Sequence, residues 1–487
     1  MNSPILDSLP APAAGADFAR VRELVGASRR KLVVLDDDPT GTQTMHGVDV
    51  LADWSVPSLA AALSDPRPCF YVLTNTRSLP APDAAALVRA VAANLSAAAA
   101  AAGADFAVAS RSDSTLRGHF AAELDALEQG LGRAFDAKIV IPAFFEGGRY
   151  TVGNVHYVAE GGRLVPAAET EFSRDATFGY RHSDLTEWIE EKTGGAVRSA
   201  DVAAVDIAAL RGPDGAERVL RQLRALARGA FLVVNAAAYS DLEVFAHGLL
   251  RAEAAGGRYL LRTAASFVRV RAGVHPRPLL GPPEICGPGP EGGLLVVGSY
   301  VARTTVQLQS VLALDRVAGI EVDVGSLAGP APLAQETRRA AAAAAAAIRG
   351  GRHAVVYTSR ALESALGRAG DLGAGRVVSD ALAAIVRALP RRPRFLVAKG
   401  GTTSSDVATA GLGMRRARVL GQAAPGVPVW RMGAETRFPG LGYVVWPGNV
   451  GGPDALRDLV VRLTWVPSRQ PPPPQTPGSG PRTPRPG

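Results

Sequence analysis

A loop near residue 115 concentrates groups that bind anions. It lies between an apolar, strand-like run at 106–109 and a segment after residue 119 whose apolar side chains recur at helical spacing. Free backbone N–H groups and the helix dipole favour an anion at a helix N-terminus, and an arginine can bind a carboxylate or a phosphate through two parallel hydrogen bonds. The loop carries Arg111, Ser112, Asp113, Ser114, Thr115, Arg117 and Gly118. We therefore predict an anion site here, the alternative being a capped helix start with surface charge.

A second loop holds three adjacent carboxylates. The buried-strand pattern of residues 31–35 runs directly into the aspartates at 36–38. Adjacent carboxylates repel one another, so a fold keeps them together only where a cation, a hydroxyl-bearing substrate or water offsets the repulsion. Pro39 favours an extended conformation at the preceding residue, and Gly41 permits a tight turn. Because ligands bind just past the carboxyl ends of strands in open α/β sheets, this loop is a candidate ligand site. The alternative is a solvated acidic turn that caps the next element.

Three strand-like runs in the C-terminal half end in loops rich in glycine and hydroxyl groups, at 298–299, 399–406 and 447–452. Glycines let backbone N–H groups approach phosphate oxygens, and serine or threonine hydroxyls can donate to those oxygens. None of the loops fits the P-loop or the dinucleotide-binding fingerprint, and a single loop of this kind can be a simple turn. Three of them at one sheet edge favour a nucleotide site.

Strand-like and helical patterns alternate along most of the chain, which is typical of α/β proteins with a mainly parallel sheet covered by helices. At 487 residues the chain is too long for one ordinary core. We predict two α/β domains, each a mainly parallel sheet flanked by helices, with the active site in the cleft between them. The predicted organisation is an N-terminal extension (1–29), a first domain (30–275), a Pro/Gly-rich linker (276–292), a second domain (293–466) and a disordered Pro-rich tail (467–487).

Composition excludes several other classes of protein. The formal net charge of +8 invites a nucleic-acid function, but no dense basic stretch interleaved with aromatic residues supports it. Two distant cysteines, Cys69 and Cys286, give neither a disulfide framework nor metal-ligand spacing. The N-terminus lacks the pattern of a secretion signal, and the alanine tract at 97–102 is too weakly apolar for a membrane span. We expect a cytoplasmic protein that binds neither nucleic acid nor membrane, with a homodimer as a possible assembly.

The loops at 36–44 and 113–120 resemble signatures of the four-carbon acid sugar kinase family. DDDPTGTQT is similar to its Asp-Asp-x-Thr-Gly signature, and DSTLRGHF is similar to its Asp-Ser-Thr-Leu-Arg-Gly signature. Further similarities follow in the family's order, in PAF at 142–144, GRYTVG at 148–153, VP at 165–166, ETEF at 169–172 and RD at 174–175. The three glycine-rich loops resemble those of the family's nucleotide-binding domain. The resemblance extends from about residue 30 to residue 465.

This resemblance implies an ATP-dependent kinase, with Mg²⁺, that phosphorylates a hydroxyl of a small acid sugar such as threonate, erythronate or 3-oxo-tetronate. Asp37 or Asp38 would accept the hydroxyl proton or orient the hydroxyl, and Arg117, with Ser114 and Thr115, would hold the carboxylate. The remaining substrate-binding candidates are Thr40, Arg111 and Asp113, and the ATP-binding candidates are Ser299, Lys399, Gly400, Gly401, Thr402, Thr403, Ser404, Gly448, Asn449 and Gly451.

Three positions depart from the family pattern. Many members have aspartate where this chain has Thr402, and a second serine where it has Val301, whereas Lys399 is an extra cation. Thr402 and Val301 would lie near the nucleotide phosphates or their metal ion, and Lys399 could supply positive charge that changes how the phosphates are held. The departures at Thr402 and Val301 sustain an alternative function, in which the chain is a non-catalytic, nucleotide- or metabolite-binding regulatory protein that retains the kinase fold.

Overall fold

The structure is a computed structural model that describes residues 3–12, 17–299, 302–324, 330–359 and 372–464. Val301 and the predicted disordered tail at 467–487 lie outside the described residues.

A parallel sheet forms the centre of the N-terminal half. Its strands are β1 Arg30–Asp36, β2 Asp49–Leu51, β3 Cys69–Leu73, β4 Asp105–Arg111, β5 Ala137–Ile141, β9 Ala203–Val205, β10 Ala230–Val234 and β11 Tyr259–Thr263, in the order β2-β3-β1-β4-β11-β5-β10-β9. A separate antiparallel sheet, β6 Arg149–Val152, β7 Val155–Glu160 and β8 Arg163–Pro166, was not predicted from the sequence. The main strands are rich in Val, Leu and Ile because both faces of the sheet are buried.

The C-terminal half also contains a mainly parallel sheet. Its strands are β12 Leu294–Val297, β13 Val317–Val322, β14 His353–Thr358, β15 Leu396–Lys399, β16 Arg416–Ala424, β17 Val427–Met432 and β18 Gly442–Trp446, in the order β13-β14-β12-β15-β18-β17-β16. The pairs β16–β17 and β17–β18 are antiparallel, so β17 runs opposite to the other described strands of this half.

Helices cover both faces of the sheet. They are α1 Pro4–Asp7, α2 Asp17–Ala27, α3 Val56–Ser64, α4 Ala81–Ala102, α5 Phe120–Leu131, α6 Leu185–Lys192, α7 Ile207–Arg211, α8 Gly215–Ala225, α9 Tyr239–Ala254, α10 Ala265–Arg271, α11 Pro282–Ile285, α12 Ala302–Leu312, α13 Pro330–Arg349, α14 Leu372–Ala388, α15 Gly401–Asp406 and α16 Ala455–Thr464. One hydrophobic core, containing residues of α9 and α14, extends through both halves on one face of the sheet. The opposite face has a separate core for each half. The chain is therefore an α/β protein, as predicted.

The two sheets are joined edge to edge, which the sequence did not indicate. The short strand β2 pairs antiparallel with β16, so fifteen strands of the described residues form one continuous sheet. Asp49 on β2, whose side chain is 3% exposed, accepts charged hydrogen bonds from Arg416 and Arg418 on β16. It also forms an ion pair with Arg67 at 2.9 Å. The halves thus share both backbone hydrogen bonds and a cluster of ion pairs.

The segments before and after the N-terminal half in the sequence are both packed into the fold. Within the predicted linker, Leu280 and Ile285 are each 1% exposed and belong to the core of the C-terminal half. In the predicted N-terminal extension, α2 packs against α9, and Val21 is fully buried.

Helix α4 is long and apolar enough to cross a membrane by length and composition alone. In the fold it packs against α3 and α5, and one face, which includes Val88, Val91 and Leu95, is buried in a core. That packing accounts for its apolar composition.

Candidate active site

The acidic loop begins where β1 ends and lies at the junction of the two halves. Residues Pro39–Thr42 form a 3₁₀ turn that packs closely against the side chain of Asp36. A Cβ at Gly41 would lie 2.0 Å from Asp36 Oδ2. Only glycine fits there without displacing that carboxylate. The indole of Trp430 donates a 2.9 Å hydrogen bond to Thr42 Oγ1, so the turn is anchored to β17.

The three carboxylates of this loop have different surroundings. Asp36 is buried and lies 3.2 Å from Arg111 Nη1. Asp37 is also buried, with Oδ2 accepting a 2.6 Å hydrogen bond from Ser112. Its Oδ1 has no hydrogen-bond partner among the described residues. Asp38 lines an open cleft, where Oδ1 accepts from the backbone N–H of Thr40 at 2.8 Å.

Burial and neighbouring charges separate the acidities of these carboxyl groups. Burial raises the pKa of Asp36 and of Asp37, and the nearby arginines only partly offset it. Burial also opposes the charged form of Asp38, but Arg77, Arg111 and the hydrogen bonds from Thr40 outweigh it and lower the pKa of Asp38. Asp38 therefore stays ionised at neutral pH and is the member of the triplet that can accept a hydrogen bond from a ligand in the cleft.

The loop between β4 and α5 is organised around Asp113. This carboxylate accepts hydrogen bonds from Thr115 Oγ1 at 2.5 Å and from Arg117 Nε at 2.6 Å. Thr115 is fully buried behind the loop and does not line the cleft. Leu116 has φ of +68°, a left-handed conformation that the tight loop imposes. The carbonyl of Ser114 accepts a 2.7 Å hydrogen bond from the buried His156.

The guanidinium of Arg117, which was predicted to hold the substrate carboxylate, already contacts two carboxylates of the protein. Its Nε donates to Asp113, and its Nη1 lies 3.5 Å from Asp175. The guanidinium also lies over the ring of Phe172, 5.1 Å from the centroid. Arg117 lines the cleft, but its charge is already balanced by carboxylates.

Two further arginines reach the cleft and were not assigned a role from the sequence. Arg77 follows β3 and connects the two loops, because it lies 2.7 Å from Asp38 Oδ2 and 3.5 Å from Asp113 Oδ2. Arg149 is the first residue of β6 and lies 5.9 Å from the centroid of the Phe172 ring. Arg77 occurs in an ordinary polar turn that gave no signal, whereas Arg149 belongs to the GRYTVG segment noted above.

The glycine-rich loops of the C-terminal half face the acidic loop directly. A Cβ at Gly401 would lie 2.0 Å from Asp38 Oδ2, so the backbone at the start of α15 is in contact with this carboxylate. Gly298 is similarly close to Thr403, because a Cβ there would lie 2.3 Å from Thr403 Oγ1. Both close approaches require glycine.

Lys399 and Ser404 are buried and anchor these loops through hydrogen bonds to backbone carbonyls. The Lys399 ammonium is completely buried and donates to the carbonyl of Pro447 at 3.1 Å. The Ser404 hydroxyl donates to the carbonyl of Ala398 at 2.9 Å. Lys399 therefore holds the loop that follows β18 and is not presented to the cleft surface.

The cleft between the halves has a volume of about 420 Å³. The predicted residues that line it are Asp38, Thr40, Arg111, Asp113, Ser114, Arg117, Gly401, Thr402, Gly448 and Asn449. An adjoining cavity of about 730 Å³ is lined by Ser299, Gly400 and Thr403 and shares Thr402 with the cleft. Gly451 lines a third cavity, of about 400 Å³. Asp37, Thr115, Lys399 and Ser404 line none of these three.

The sequence divides between two family models at the boundary between the halves. A sugar-binding N-terminal domain matches residues 32–271, and a nucleotide-binding C-terminal domain matches residues 294–456. Together the matches cover most of the chain, and the cleft is lined by residues of both matched regions. The chain belongs to the four-carbon acid sugar kinase family.

Similar proteins are named as kinases of different acids. The chain is 29% identical to a 3-oxo-tetronate kinase of Methylobacterium radiotolerans over 433 residues, which cover 86% of this chain and 96% of that protein. It is also 29% identical to a D-erythronate kinase of Heliobacterium modesticaldum over 232 residues, 47% of this chain. That second alignment spans 48% of the relative, so the chain matches about half of its length.

Solved structures share the fold. A Haemophilus influenzae protein aligns with 89% of this chain and 100% of its own length, with a TM-score of 0.58 and 18% identity. A Salmonella typhimurium LT2 protein aligns with 89% of this chain and 98% of its own length, with a TM-score of 0.62 and 18% identity. At such identities the similarity establishes the architecture alone.

Proposed function

We propose that this member of the family transfers the γ-phosphoryl group of ATP to a hydroxyl of a four-carbon acid sugar. The observation that carries the proposal is the contact between Asp38 and Gly401. It joins an ionised carboxylate from the sugar-binding half to the first turn of α15 in the nucleotide-binding half. A reacting hydroxyl and a terminal phosphate that occupied these two positions would meet in one cleft.

Phosphoryl transfer requires positioning and charge stabilisation more than covalent chemistry by the protein. In the proposed reaction the acceptor hydroxyl donates a hydrogen bond to Asp38, and its oxygen forms a bond to the γ-phosphorus. The bond from that phosphorus to the bridging oxygen of ADP breaks, and the hydroxyl proton leaves towards Asp38. Arg77, which lies 2.7 Å from Asp38, fixes the orientation of the carboxylate.

The phosphates would lie against the loops at 298–299, 400–403 and 448–449, which line the cleft and its adjoining cavity. Their glycines bring backbone N–H groups close to a ligand. Thr402 borders both spaces, and in this proposal its hydroxyl donates to a phosphate oxygen at the junction.

A magnesium ion accompanies ATP in most kinases and neutralises charge on the phosphates. Among the described residues, no three histidine, cysteine, aspartate or glutamate side chains are grouped as a metal site. Magnesium commonly keeps several waters and binds one or two carboxylates together with substrate phosphates. Asp38 fits this need, because its carboxylate lines the cleft beside Gly401 and stays ionised.

The deciding experiment is ADP release measured with a panel of four-carbon acids, including D-erythronate and 3-oxo-tetronate. ADP formation that requires one of these acids, with transfer of phosphate to it, supports the proposal. ATP binding without acid-dependent ADP formation by any member of the panel contradicts it and favours the non-catalytic, nucleotide-binding alternative.

A further inference from the structure

One arginine in the cleft lacks the ion pairs that balance the others. Arg77, Arg111 and Arg117 each lie within 4.0 Å of at least one aspartate oxygen. Arg149 also lines the cleft and is 7% exposed, yet no ion pair to it occurs among the described residues. Among the same described residues, its buried Nε has no hydrogen-bond partner. A buried cation without a carboxylate partner is costly, so such a group indicates a place for an anion.

The surrounding backbone holds the Arg149 side chain in a defined position. The guanidinium donates through Nη1 to the carbonyl of Gly147. A Cβ at Gly147 would lie 2.6 Å from Nη1, so glycine provides the space that the guanidinium occupies. The backbone N–H of Arg149 donates to the carbonyl of Phe144 at 2.9 Å, which fixes the start of β6. The unpaired charge is therefore preorganised.

We propose that Arg149, rather than Arg117, holds the carboxylate of the acid substrate. This inference rests on the proposed function and specifies which side chain recognises the acid. Both arginines lie beside the Phe172 ring, but the charge of Arg117 is balanced by Asp113 and Asp175. The incoming carboxylate supplies Arg149 with the partner that the protein does not. Arg117 instead positions the loop through Asp113.

The test compares Arg149→Lys with Arg117→Lys in the full-length protein. Lysine keeps the charge but cannot reproduce the planar donor arrangement. Arg149→Lys is expected to raise KM for the acid by about ten- to a hundredfold, the usual effect of losing a charge-assisted hydrogen bond, and to change the ADP dissociation constant by less than about threefold. Arg163→Lys, at an exposed position on β8 of the same small sheet, is the matched control and should leave both constants unchanged.

A neutral tetritol, in which an alcohol replaces the carboxylate, separates carboxylate recognition from general damage. The unaltered enzyme should use it poorly, and Arg149→Lys should lower that residual activity little further. Gly147→Ala keeps the charge of Arg149, but its Cβ would lie 2.4 Å from the Phe144 ring and 2.6 Å from Arg149 Nη1, so it displaces both groups and should raise KM for the acid in the same direction. It provides a second route if Arg149→Lys fails to fold.

Several outcomes overturn the inference. A larger effect on KM for the acid from Arg117→Lys than from Arg149→Lys returns the carboxylate to Arg117. Weaker ADP or ATP binding by Arg149→Lys, with acid affinity unchanged, assigns Arg149 to a phosphate. If the unaltered protein shows no acid-dependent turnover, the proposed function fails. Calorimetric titration of each variant with the acid alone then still decides whether Arg149 binds a carboxylate.

Discussion

Replacing Gly401 by alanine tests whether the contact between the halves matters for phosphoryl transfer. The new Cβ would lie 2.0 Å from Asp38 Oδ2, whereas ordinary contacts of a Cβ begin near 3.4 Å. The carboxylate or the start of α15 must therefore move by about 1.4 Å, and a displacement of about 1 Å at a reacting group can lower the rate by about 10²-fold. We expect kcat for acid-dependent ADP release to fall by about that factor, with the thermal midpoint little changed.

Gly26→Ala is the matched control, because a Cβ at this position on helix α2 meets no atom within 4 Å. It should retain the activity of the unaltered protein. Activity and nucleotide affinity are measured on the same preparations, with circular dichroism as the check on folding. If folded Gly401→Ala keeps kcat within about threefold, the close contact with Asp38 is not part of the reactive arrangement, and the reasoning from displacement is refuted.

Three other changes test separate parts of the argument. Asp38→Asn removes the charge that orients the hydroxyl, so turnover should fall by about 10²–10⁴-fold while ATP still binds by calorimetry; near-normal turnover contradicts the role of Asp38. His156 is fully buried, and burial lowers its pKa to about 4. Because the unfolded chain takes up that proton near pH 6.5, the free energy of unfolding should decrease by about 3 kcal/mol from pH 7 to pH 4, and His156→Asn should flatten this pH dependence in urea titrations. An equally steep dependence in the variant counts against the assignment. Asp49→Asn should lower the free energy of unfolding by about 1–3 kcal/mol, because charged hydrogen bonds to Arg416 and Arg418 are lost at a site only partly open to solvent; an unchanged urea midpoint refutes this.

Much of the sheet could be predicted from the sequence because its central strands are continuous apolar runs. The runs at 32–35, 69–73 and 294–297 are such strands, with nearly every side chain buried. The strand β11 gives no comparable signal, because Arg262 and Thr263 interrupt its apolar pattern. In the fold Arg262 is buried and paired with Glu123 on α5, so a charged residue occupies a core strand. This pairing is long-range and leaves no local signal.

Part of the candidate site could also be predicted from the sequence. Asp38 and the loop at 400–402 follow strands directly, and strand ends of a parallel sheet meet at one edge. The separate roles of the three aspartates could not be predicted, because they depend on Arg77, Arg111 and Ser112, which approach from other strands. Likewise, the ion pairs of Arg117 and the absence of one at Arg149 among the described residues are properties of the packing.

The pairing of β2 with β16 also covers an edge strand of the sheet in each half. A strand at the edge of a sheet presents unpaired N–H and C=O groups and invites association with other chains. Strand β16 is nine residues long with alternate side chains buried, the kind of edge that promotes aggregation when exposed. Since β2 and the ion pairs of Asp49 cover part of this edge, a half produced alone would expose it. Covalent linkage of the two halves therefore keeps this edge covered and favours solubility.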